Sequence, residues 1–141
     1  MRYFVFISSL FHLSIKENNV SLFDKILHIG ESHCLSFAHQ NISIDSKPKT
    51  IQPLLVTGGK AWHFANKDFN RWKSSLCEQL RKHKCSKEVF ISFGEIDCRK
   101  DEGILPYSIK HGKDIYECCL ITIEGYLNFM ESKLSTLFEK R

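Results

Sequence analysis

With 141 residues, 43% apolar and 12% aromatic, the chain holds enough apolar side chains for one core and has no need of a second, so one domain is expected. Its formal charge of +4 is spread along the chain, with Arg81, Lys82 and Lys84 close to Glu78 and Glu88, which argues against a nucleic-acid partner. The six cysteines contain no C-x-x-C pair and no ligand-like spacing, so reduced thiols of a cytoplasmic protein are expected, and no run reaches the ~18 apolar residues of a membrane span.

Residues 1–24 read as an N-terminal extension or leader. The opening MRYFVFISSLFHLS has the outline of a signal peptide, but it contains His12 and lacks a small-residue cleavage pattern, so secretion is the lesser reading. At 25–30, KILHIG is a short apolar run ended by glycine, as a strand buried on both faces would be. Ser32 stands where a helix N-cap belongs, and the spacing of Leu35, Ala38 and His39 predicts a short helix over 33–40, followed by the polar stretch NISIDSKPK. The second strand is TIQPLLVT, weakened by Pro53 and closed by Gly58 and Gly59.

Asn66 or Asp68 caps the next expected helix, whose stripe of Phe69, Trp72, Leu76 and Leu80 opposes Arg71, Lys73, Glu78 and Arg81. EVFISFG, at 88–94, is the clearest strand and runs into the acidic cluster EIDCRKDEG. A loop holding Pro106 and Gly112 is expected next. From Asp114 onward Tyr116, Cys119, Leu120, Ile123, Tyr126, Leu127, Met130, Leu134 and Leu137 keep helical spacing, which predicts a long helix packed on the core. Strand and helix alternating three times is the order of a parallel sheet with helices on both faces.

In such a sheet the crevice lies beyond the carboxyl ends of the strands, where this sequence places GESH, TGGKAWH and FGEIDCR. At the head of a helix, Ser32 is either a nucleophile with first-turn N–H groups beside it or simply the cap. Gly58 and Gly59 offer a bare backbone donor or mark an ordinary turn. The FGEIDCR segment reads equally as polar groups that orient a substrate and as a structural corner in which Arg99 holds Asp97 or Glu95.

Taken together, Gly30-Glu31-Ser32, Gly58 or Gly59, and Gly94-Glu95-Ile96-Asp97 resemble, in order and spacing, the SGNH or GDSL-type hydrolases, over about residues 25–138. The resemblance implies a three-layer α/β/α, flavodoxin-like fold and ester hydrolysis without metal or organic cofactor. It makes Ser32 the nucleophile, Gly58 and Gly59 the candidate oxyanion donors and Asp97 the residue that orients the site. Glu31, His33, Glu95, Arg99 and His63 become substrate-binding candidates, and the partner a small-molecule ester such as an acylated carbohydrate.

Glu31 replaces the family's aspartate, and Ile96 stands where the family places an asparagine whose amide completes the oxyanion hole, a donor worth about 3 to 4 kcal/mol in the transition state. The family's Asp-x-x-His motif does not occur in this sequence. By resemblance, 25–141 is therefore a partial domain, truncated at its C-terminus, with little or no activity. His33 would point roughly 100 degrees away from Ser32 around a helix. His63 is within reach in principle or packed beside Trp62 and Phe64, which either line a pocket or anchor the following helix.

The rival reading is a non-catalytic binding or scaffold module that keeps the fold. A phosphate binder using Gly58-Gly59 is opposed by the lack of a P-loop motif. A C-terminal helix without a following strand would leave apolar surface exposed and favour self-association.

Overall fold

The computed structural model describes residues 24–83 and 88–138, so the expected leader lies outside the described residues except for Asp24. The fold is mixed α/β. Its sheet has four strands in the order β2-β3-β1-β4, where β1 is Asp24–Gly30, β2 Asn41–Ile44, β3 Lys47–Leu55 and β4 Val89–Ser92. β1 runs parallel to both neighbours, with Ile29 opposite Leu54 and Gly30 opposite Ser92, and Ile26 to Gly30 are all buried, as a central strand's apolar run requires.

The sheet is not wholly parallel as expected, because β2 is antiparallel to β3. The stretch read as polar loop folds back as a hairpin, with Asp45 and Ser46 both left-handed at φ 49° and 62°, the pairing of a two-residue turn that matches strand twist. Pro53 is tolerated in β3 for a directional reason. Ile51 N–H points toward the β2 side and donates to Gln40 O at 2.9 Å, so the Pro53 nitrogen, two residues on, faces the same side beyond the last β2 pair at Thr50.

Among the described residues four α-helices follow: α1 (Ala61–Ala65), α2 (Arg71–Lys82), α3 (Ile104–His111) and α4 (Ile115–Phe138). Leu27, Ile29, Leu54 and Val56 of the sheet edge and face meet Phe64 of α1, Leu76 and Leu80 of α2 and Met130 of α4, so these three helices share one side of the sheet. On the other side His28 packs against Phe37 and Phe90, each at 6.2 Å between ring centroids, beside the short helix expected over 33–40, which is a six-residue 3₁₀ helix, Ser32–Phe37.

The cap of α2 is Asn70, whose side chain accepts from Lys73 N–H at 3.1 Å, and not Asn66 or Asp68. Phe69 consequently precedes the helix and is 75% exposed, outside the stripe assigned to it. The expected loop around Pro106 is α3. Its proline sits in the first turn, where the missing N–H would have had no intrahelical partner, and the helix closes at Gly112 in the left-handed region. Asp114 opens α4 by accepting from Glu117 N–H at 2.9 Å. Among the described residues no helix is long and apolar enough to cross a membrane.

Candidate active site at the carboxyl ends of the parallel strands

β1, β3 and β4 are parallel, so the segments that leave them emerge at one edge of the sheet. At Gly30 a side chain would collide with β4: an added Cβ would lie 2.4 Å from Ser92 Oγ and 2.6 Å from Ser92 O. Glu31 N–H then donates to Ser92 O at 3.3 Å.

Glu31, and not Ser32, occupies the N-cap position of the 3₁₀ helix, with extended backbone and no side-chain cap bond. Its carboxylate turns inward, 2% exposed, and Oε1 accepts from Glu95 N–H at 3.0 Å, while Oε2 is buried with no partner. Burial raises this carboxyl above the ordinary carboxylate range, opposed by the Glu95 N–H bond.

Ser32 is the first helical residue and is exposed. The first intrahelical bond runs from Cys34 N–H to Glu31 O at 3.0 Å, so the N–H groups of Ser32 and His33 lie ahead of the helix's own ladder. No hydrogen bond joins the Ser32 hydroxyl to a histidine among the described residues. The exposed His33 projects toward the two acids, since one ligand atom from each of Glu31, His33 and Glu95 lies within 4.8 Å of the others.

The second segment is a tight turn. Gly59 N–H donates to Val56 O at 3.0 Å and is thereby committed, whereas Gly58 is exposed with φ +66°. Beyond the turn, α1 is held by a residue distant in sequence: Asp97 Oδ2 accepts from Ala61 N–H at 2.7 Å and Oδ1 from Trp62 N–H at 3.2 Å. These are first-turn donors without intrahelical partners, so Asp97 caps α1 from the loop after β4. Burial raises the Asp97 carboxyl above its ordinary value, opposed in part by the two N–H groups.

His63 is buried, with its ring stacked on Trp72 at 3.4 Å between centroids and 8° between planes, and its Nδ1 accepts from Lys60 N–H at 3.0 Å. Burial, with Lys60 and Arg71 nearby, lowers its pKa to about 4, so the ring is neutral at pH 7. Phe64 anchors α1 in the core, whereas Trp62 is 40% exposed.

In the third segment Arg99 pairs with Glu95, not Asp97, as a two-pronged fork of Nε to Oε1 at 3.1 Å and Nη2 to Oε2 at 2.8 Å. This depresses the Glu95 carboxyl and raises Arg99. Ile96 opens the short 3₁₀ helix Ile96–Cys98 and brings no side-chain donor.

Glu31 thus ties the serine segment to the FGEIDCR segment, and Asp97 ties that segment to α1. A pair not singled out from the sequence lies below them: His28 Nε2 and Ser92 Oγ are 2.9 Å apart, and His28 Nδ1 is buried without a partner. Their only sequence signal is strand register, which sets residues 28 and 30 beside 90 and 92 on one face. Compared with known proteins, the chain matches no family model, no curated protein and no solved structure.

Proposed function

We propose that the chain is a serine ester hydrolase module of the SGNH, or GDSL, type, with a three-layer, flavodoxin-like architecture, acting weakly on a small-molecule ester such as an acylated carbohydrate in the cytoplasm. The observation that carries this reading is the exposed residue Ser32 at the head of a helix, directly beyond the central parallel strand, with N–H groups of that first turn outside the helix ladder. In the reaction Ser32 Oγ attacks the acyl carbon and gives its proton to solvent water, the N–H groups of Ser32 and Gly58 receive the oxyanion, the alcohol leaves with a proton from solvent, and a further water hydrolyses the acyl-serine and restores the hydroxyl. Asp97 and Glu31 act as positioning residues, through α1 and the Glu95 backbone respectively.

Weakness follows from two features. Ile96 supplies no oxyanion donor, which costs about two to three orders of magnitude in rate. His63, the histidine of the second segment, has its Nδ1 committed and its ring stacked, so it is not poised to take the serine proton. The same two features favour a second reading, a non-catalytic binding module on this fold, with no nucleic-acid partner. In either case the exposed apolar residues of α4 make a second copy of the chain a further partner.

A fluorophosphonate probe separates the readings. Slow labelling that vanishes in Ser32→Ala, with the variant's circular dichroism unchanged, is the expected result. A folded wild-type chain that takes up no probe, or labelling that survives Ser32→Ala, removes the hydrolase reading and leaves the binding module.

A further inference from the structure

We propose that Glu31, His33 and Glu95 form a site for a divalent transition-metal cation of the zinc type, a function beyond the hydrolase reading and independent of it. The three residues offer one imidazole nitrogen and two carboxylate oxygens, all within 4.8 Å of one another. By the geometry of a triangle, a cation among them lies within about 2.8 Å of all three, so a closure of about 0.7 Å reaches ordinary Zn–N and Zn–O bond lengths.

The second observation is the state of Glu31 itself. Its side chain is 2% exposed, one oxygen accepts from Glu95 N–H, and the other is buried with no partner. A buried carboxylate oxygen without a donor is a costly arrangement, and a full positive charge beside it removes the cost. The orphaned oxygen belongs to the same carboxylate that meets His33 and Glu95.

Preorganisation comes from the backbone. Glu31 is fixed by its N–H bond to Ser92 O and by the Glu95 N–H, and this second bond also fixes the backbone that carries the third ligand. His33 follows two residues later, from the first turn of the 3₁₀ helix. One imidazole with two carboxylates suits zinc, manganese or ferrous iron better than magnesium or calcium, which favour all-oxygen shells. Three protein ligands leave a further coordination position, on the side where His33 and Glu95 are exposed.

Arg99 is a competitor built into the site. Its fork onto Glu95 links two half-exposed side chains, at 46% and 44%, where solvent screens the pair. A divalent cation therefore displaces the guanidinium or shares the carboxylate with it, and removing Arg99 tightens binding of the cation.

The test is a titration of the full chain with Zn²⁺ against a chromophoric chelator, with Co²⁺ as a spectroscopic substitute. Wild type is expected to bind Co²⁺ with a d–d band and no thiolate charge-transfer band, which separates this site from adventitious binding at the cysteines. Glu31→Gln keeps the acceptor for Glu95 N–H and is expected to stay folded while weakening Zn²⁺ binding by at least about tenfold; His33→Ala is expected to do the same. Arg99→Gln is expected to bind more tightly than wild type, and Ser32→Ala is expected to bind as wild type does, which keeps this outcome separate from probe labelling. Equal affinity in wild type, Glu31→Gln and His33→Ala, or a Co²⁺ spectrum of thiolate type, overturns the site.

Discussion

His63 shows how packing decides what a residue in a candidate site does. Its ring lies flat on Trp72 and its Nδ1 accepts the Lys60 N–H, an arrangement that accommodates the neutral imidazole. The folded-state pKa is lowered from 6.5 to about 4, so protons bind the unfolded chain more tightly. The contribution to stability is full above the unfolded pKa, declines as pH falls through the window from 6.5 to about 4, and amounts to about 3 kcal/mol at most. Ring-carbon NMR shifts of His63 are expected to titrate near pH 4, and a midpoint near 6.5 would mean that the ring leaves the Trp72 stack. The sequence favours packing over a base role for His63, because Trp62 and Phe64 flank it, but the stack on Trp72 and the bond from Lys60 N–H are not legible there. Glu31 and Asp97 were singled out as site residues, but their work was hidden, because the N–H groups they accept come from residues 64 and 36 positions away.

Among the elements, α4 carries two apolar stripes where the periodicity was read as one. Cys118, Thr122 and Met130 are buried, whereas Tyr116, Leu120, Ile123 and Leu127 are 77%, 59%, 51% and 56% exposed. Met130→Ala is expected to lower stability by about 2 to 4 kcal/mol through lost transfer energy and a cavity, and Leu127→Ala to change it by no more than about 0.5 kcal/mol. Urea unfolding of both variants checks the contrast, and equal losses would mean that Leu127 is covered in solution. Long runs with a clear period were legible: β1, the core of β3, β4, α2 and α4 all lie where apolar spacing put them. The hairpin was not, because Asp45-Ser46 lacks the Asn-Gly signature of its turn, and α3 was not, because Pro106 reads as a helix breaker until its first-turn position is known. Nor could spacing decide which α4 stripe faces the sheet, since that depends on where α1 and the core residues stand. In the site, the three strand-end segments were legible, because each follows an apolar run, while the links between them were not.

For the molecule as a whole, the exposed stripe on α4 has the spacing of a helix–helix seam. Tyr116, Leu120, Ile123 and Leu127 stand at steps of four, three and four, the repeat that keeps one face of a helix against a partner helix. Four side chains are fewer than the ~20 residues a side of a standard interface, so pairing of two copies through this face is expected to be weak and concentration-dependent. Sedimentation velocity is expected to show the monomer giving way to dimer as the chain is concentrated. Leu120→Lys with Leu127→Lys puts two charges on the seam at positions that contribute no core contact, and is expected to hold the chain monomeric at those concentrations with its unfolding midpoint unchanged. A wild-type chain that stays monomeric throughout, or a double variant that dimerises as wild type does, assigns the stripe no role in self-association. The loading has to be compared at constant ionic strength, because the added lysines also raise a net charge that is already +4 and like-charged copies repel one another. A loss of dimer that persists at high salt, where that repulsion is screened, then reports the apolar seam itself.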